Sequence, residues 1–111
     1  MAAILKPLGN VLLTTDSTDQ SGAQQIYDVN GANPLLSVIV TNTTDTDGEF
    51  YIFVTTTTFP TGVIIAYKQP LSGYNTYETF RFALDTDDVL YVAGSAGLSF
   101  YAQGIEQEVL P

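Results

Sequence analysis

The chain has 111 residues, enough for one modest core and no second lobe. It has no His, Cys or Trp, so imidazole bases, thiol nucleophiles, disulfides and zinc ribbons are excluded. Lys6, Lys68 and Arg81 are its only side-chain cations against 12 acids, a net charge of -9, which excludes a phosphate-neutralising surface for nucleic acid or an anionic membrane.

Charged residues make up 14% of the chain, where about 25% is usual. The polar surface is built instead from Thr, Ser, Asn and Gln, which are cheaper to desolvate than ions, and this favours a protein packed against other subunits. Met1 to Asn10 carries Lys6, Pro7 and Gly9 and lacks the apolar core of a secretory signal. No run is long enough for a membrane helix, so synthesis and assembly in a host cytoplasm are expected.

Strand signals dominate. Runs of Val, Ile, Thr, Tyr and Phe, punctuated by Gly, Asn, Asp and Pro, predict strands at Val11–Thr15, Gln24–Val29, Leu35–Asn42, Glu49–Thr57, Gly62–Tyr67, Tyr77–Leu84, Val89–Ala93 and Leu98–Ile105. Ser17 to Gly22 reads as a mobile loop. Turns are expected at Asn30-Gly31, Phe59–Gly62, Ser72–Asn75, Asp85–Asp88 and Ser95–Gly97, with a hairpin connection at Asp45–Gly48. Asn42-Thr43-Thr44 fits a glycosylation sequon but reads as a turn.

This rhythm predicts an all-β single domain, an antiparallel β-sandwich or jelly-roll-like barrel of about eight strands. The expected core is Val38, Val40, Phe50, Ile52, Val54, Ile65, Phe80, Phe82, Leu84, Val89, Tyr91 and Phe100. Phe80, Phe82 and Leu84 alternate onto one face of their strand. Glu49–Val54 and Leu35–Val40 are apolar on both faces, and a sandwich covers only one. Tyr51, Phe53, Leu35, Ile39 and Tyr77 are therefore expected to meet a neighbouring subunit. The segment Met1 to Leu8, with Ile4 and Leu5, is expected to be an extended arm, residues 1–10, reaching a neighbour. Together these predict a homo-oligomer, a trimer before a dimer.

Catalytic patterns are sparse. Counting from Asp45, the twelfth position is Thr56, which rules out an EF-hand; a less regular calcium site would need Asp45 and Asp47 together with Asp85, Asp87 and Asp88. The acids cluster in turns and not around a cleft, as a glycosidase would require. No G-x-S-x-G elbow or phosphate-cradling Gly loop occurs. The reading is therefore no enzyme, no cofactor and no metal, with the two acidic turns facing solvent.

Five further strand motifs occur in a fixed order after Ile26-Tyr27-Asp28-Val29. They are Leu36-Ser37-Val38-Ile39-Val40-Thr41-Asn42, Phe50-Tyr51-Ile52-Phe53-Val54, Ile64-Ile65-Ala66-Tyr67, Asp88-Val89-Leu90-Tyr91-Val92-Ala93 and Leu98-Ser99-Phe100-Tyr101-Ala102-Gln103-Gly104. This order, over about residues 24–105, resembles a family of small β-rich virion structural proteins of tailed bacteriophages, frequent in marine and cyanobacterial phages. Asn30-Gly31 departs from the Pro-Ala-Gly more often found there. The resemblance implies a virion protein with a β-sandwich fold and carries over no catalytic residue. Three roles are expected from it: a capsid decoration (cement) protein docked on the major coat protein at the outer virion surface, a tail, neck or fibre-associated component, or a receptor- or glycan-binding module.

Overall fold

The computed structural model describes residues 5–17, 23–29, 32–55, 63–85 and 88–108. They form nine strands and no helix: β1 Leu5–Leu12, β2 Gln24–Asp28, β3 Ala32–Asn42, β4 Gly48–Thr55, β5 Val63–Leu71, β6 Thr76–Glu78, β7 Phe82–Ala83, β8 Val89–Gly94 and β9 Leu98–Glu108. The expected turns at Asn30-Gly31 and Phe59–Gly62 lie outside the described residues, apart from their flanks.

One sheet runs β1-β9-β3-β6, with β7 also paired to β3, and the other runs β2-β8-β4-β5; all pairings are antiparallel. Taking β6 and β7 as one interrupted strand, this is the strand order of a jelly roll. Its logic is visible in the register. Leu5 faces Ile105, Asp28 faces Val89, Thr41 faces Thr76 and Val54 faces Val63, so the two halves of the chain pair as one nested hairpin. That long ribbon is rolled so that successive stretches fall in alternate sheets. The Asp45–Gly48 connection is consequently a crossing between sheets and not the hairpin expected. Only β4 and β5 are sequential neighbours within one sheet.

The core lies between the sheets, where Leu36, Val38, Val40, Phe50, Ile52, Val54, Leu90, Val92, Leu98 and Phe100 are all buried. Phe50 meets Phe100 edge-on at 6.1 Å and Tyr77 at 5.3 Å. Six expected core residues are buried in this way: Val38, Val40, Phe50, Ile52, Val54 and Phe100; Leu84 joins them, and Phe82 packs on the core from its margin. Val89 and Tyr91 are half-buried, and Ile65 is exposed on β5.

Phe80 is a clear correction, being 92% exposed. The cause is a one-residue bulge. β3 pairs Ile39 with Glu78 but Leu36 with Phe82, so three residues, Thr79–Arg81, stand opposite two. The extra residue inverts the alternation: Tyr77 and Thr79 point inward, Phe80 outward, then Phe82 and Leu84 inward again. Thr79 makes the bulge tolerable. Its N–H donates to the Val38 carbonyl at 3.0 Å, while the Val38 N–H donates to the Thr79 hydroxyl at 2.9 Å. A side-chain oxygen thus replaces the displaced carbonyl.

The expected N-terminal arm is also corrected. Leu5–Asn10 belongs to β1, an edge strand paired with β9 of the same chain, and the strand expected at Val11–Thr15 is displaced to this earlier position. An edge admits Pro7, and the register shift between Pro7 and Gly9 lets Leu8 and Val11 pack on the core. At Gly9 a Cβ would fall inside the Ile26 carbonyl oxygen, so β1 closes on β2 only because this position has no side chain.

Asn42 fastens the other end. Its buried amide donates to the Thr46 carbonyl at 2.8 Å and the Leu71 carbonyl at 3.1 Å, and its oxygen accepts from the Thr44 N–H and hydroxyl. The sequon residue is a turn anchor, as the turn reading expects.

Phe100→Ala should cost about 3–5 kcal/mol of stability and Phe80→Ala no more than about 0.5 kcal/mol, measured by chemical denaturation. Thr79→Val should cost about 1–3 kcal/mol by leaving the Val38 N–H without an acceptor, whereas Thr79→Ser should recover most of it.

Candidate interaction surface

The acids are spread by the fold. Asp45 and Asp47 follow the end of β3, while Asp85 and Asp88 sit beside its start, where the Leu84 N–H donates to the Pro34 carbonyl. The residues from Pro34 to Asn42 place roughly 25 Å between the two turns, so they cannot share a cation. Among the described residues no three acids gather at one point. Asp45, Asp47, Glu49 and Asp85 face solvent as expected. Asp88 does not: it is buried, and its carboxylate accepts the Asp85 N–H at 2.8 Å, closing its own turn. Asp87 lies outside the described residues.

Polar chemistry between the sheets centres on Glu106 of β9. Lys6 Nζ lies 2.9 Å from its carboxylate, a partly exposed pair worth about 0–1 kcal/mol. Across the sandwich, Tyr27 of β2 presents a phenol oxygen cut off from solvent and without a well-formed hydrogen bond. Burial, then the Glu106 charge and its hold on the phenolic proton, push the Tyr27 pKa up to about 12. The Glu106 carboxylate therefore serves both the Lys6 ammonium and the neutral Tyr27 phenol. On the outer face of the β3 sheet a depression of about 50 Å³ is lined by Leu35, Ser37, Glu78, Arg81, Gln103 and Ile105, room for a water or two.

The surface feature that stands out is β5. It is the edge strand of its sheet, and Val63, Ile64, Ile65 and Tyr67 are all exposed, Ile64 by 58% and Tyr67 by 63%. Its register against β4 shifts twice, between Phe50 and Ile52 and again between Ile52 and Phe53, and Lys68 adopts a positive φ of 48°. The shifts fall beyond Ile64: Val63 and Ile64 still alternate opposite Val54 and Phe53, while Ile65 and the pair Tyr67 and Lys68 are left out of register. Ile64 stands opposite Phe53, and the Tyr67 ring meets Tyr51 edge-on at 5.4 Å, so both lie on the outer face. Tyr91 stacks on Phe53 at 5.6 Å.

That cluster corrects the expectation for β4. Tyr51 and Phe53 are only 4% and 5% exposed, because rings from β5 and β8 cover them within the same chain. Tyr77 is also turned inward, onto Phe50, and Leu8 packs on the core. Ile39 is half-buried on the outer face of its sheet, and Leu35, 40% exposed, is the one expected interface residue that the described structure leaves open. Leu5 lies in β1, while Met1 and Ile4 lie outside the described residues. The open apolar residues of β5 were legible as Val63-Ile64-Ile65-Ala66-Tyr67, a run apolar at every position. Its edge location was not.

No family model matches the chain, and no curated protein or solved structure shows significant similarity to it.

Because the folded state holds the Tyr27 proton more tightly than the unfolded chain, whose tyrosines titrate near ~10, stability should be level below pH ~10 and fall as pH rises through about 12. Tyr27→Phe should remove a phenolate step near pH 12 from the ultraviolet titration and flatten that decline.

Proposed function

We propose that the chain is a non-catalytic structural subunit of a virus particle, a decoration protein docked on the outer face of the coat-protein lattice. The observation that carries this reading is a jelly-roll sandwich whose surface is built from Thr, Ser, Asn and Gln, with only 14% of the chain charged. Jelly rolls serve in capsid, lectin and cupin domains alike, so topology supports this role without selecting it. Selection comes from the surface chemistry and from the strand-motif resemblance. A surface short of ions is cheap to bury against a neighbour. The net charge of -9, carried partly by the exposed turns Asp45–Glu49 and Asp85, suits the outside of a particle and would be repelled by packaged DNA.

The exposed rings of Tyr67 and Tyr74 favour a second reading, a glycan-binding module that stacks sugars. Lys68 Nζ, 5.8 Å from the Tyr67 ring centroid, would supply a donor beside that platform.

Antibody against the purified chain should label the whole outer shell of intact particles that carry it, at a copy number on the order of hundreds. Labelling confined to one vertex would move the chain to the tail or neck. Its absence from particles, together with retention of the isolated chain on immobilised host-envelope sugars, would replace the structural reading with the glycan reading.

A further inference from the structure

We infer that the apolar strip of β5 is a self-association surface: two copies of this chain bury Val63, Ile64, Ile65 and Tyr67 against one another across a two-fold axis. The inference is independent of the virion setting.

Three observations select a second copy as the occupant. The first is concentration. Four of the large apolar residues that the described structure leaves exposed fall within five positions of one strand, whereas Leu12, Leu35, Tyr74 and Phe80 are spread over other elements. Ile64 and Tyr67 share the outer face of the sheet and Val63, opposite Val54, lies along its open edge, so one partner can cover the outer face and the edge together.

The second is charge. Each copy carries a net -9, so two copies repel unless they meet through a surface without acids. Between Glu49 and Glu78 the sequence has no Asp or Glu, and β5 lies wholly inside that stretch, with Lys68 its only ion. This is the face on which like molecules approach at least electrostatic cost. An acidic partner would gain only Lys68 from it. A basic partner would be drawn to the acidic turns instead.

The third is the geometry of the edge. A flat edge strand adds further strands indefinitely, but β5 is irregular in register, carries Lys68 at positive φ and includes Pro70, which has no N–H to donate. Strand addition is therefore blocked while the side chains remain open. The contact is made by side chains, is the same patch on both partners, and closes at two copies rather than growing into a fibre.

Sedimentation equilibrium of the full chain at ~50 µM should return twice the 12.0 kDa chain mass. Ile64→Asp and Tyr67→Asp, both at exposed positions, should each weaken the dimer by about 100-fold or more, while Phe80→Asp leaves it intact. Raising salt from ~0.05 to ~0.5 M should tighten the dimer by screening the net repulsion. Should the Asp variants fail to fold by circular dichroism, a nitroxide on Ile64→Cys provides the reading, since the chain has no other thiol. Intermolecular spin coupling there, and none from Phe80→Cys, is expected. A monomer at all concentrations up to ~500 µM would overturn the inference, as would a trimer, a dimer abolished by Phe80→Asp alone, or a dimer dissolved by salt.

Discussion

The pairing of β3 with β9 is the interaction on which the rest of the molecule hangs. It runs from Ala32 opposite Glu108 to Asn42 opposite Leu98 without a break, the longest unshifted register among the described strands. Its inward residues, Leu36, Val38 and Val40 against Phe100 and Ala102, form the floor on which the second sheet lies. Both neighbours of this ribbon are compromised strands. β1 is shifted at Pro7, and β6 and β7 are split by the Thr79 bulge, so neither would hold a sheet by itself. A central pair with uninterrupted hydrogen bonding lets the edges be irregular at little cost.

Irregularity is placed where it restrains growth. At the β6–β7 edge an extra residue turns Phe80 and Arg81 outward and the Thr79 hydroxyl completes the ladder. At the β5 edge two register shifts, Lys68 and Pro70 break the row of free backbone groups. Proteins rich in strands face edge-to-edge aggregation, and such breaks are the usual defence. The two edges differ in what they leave exposed. One offers a single ring beside an arginine, the other a strip of aliphatic and aromatic side chains.

Charge follows the same division. Acids occupy the turns at both ends of β3 and the Glu106 region, whereas the stretch from Phe50 to Tyr77, which includes all of β5, has none. Within one chain this polarises the surface between a hydrated, repulsive part and an apolar, neutral part. For a protein whose proposed role is packing against other subunits, such a division decides which face can be buried.

The sequence by itself determined the fold class, because two-residue alternation and Gly/Asn/Asp/Pro punctuation are local signals that survive without tertiary context. It also determined most of the core, since Val38, Val40, Phe50, Ile52, Val54 and Phe100 lie on strands of unbroken alternation. Tertiary structure decided the rest. Phe80 was unreadable because a single inserted residue, fixed only by register against β3, reverses every side chain beyond it. The partners of Tyr51 and Phe53 were unreadable because their cover comes from β5 and β8, brought alongside β4 by sheet topology. The segment Leu5–Asn10 lacks strand propensity at Pro7 and Gly9, and only the open edge of β9 and the close approach to Ile26 make it a strand. Local chemistry therefore specified which residues form strands, while long-range pairing specified which of their faces remain open.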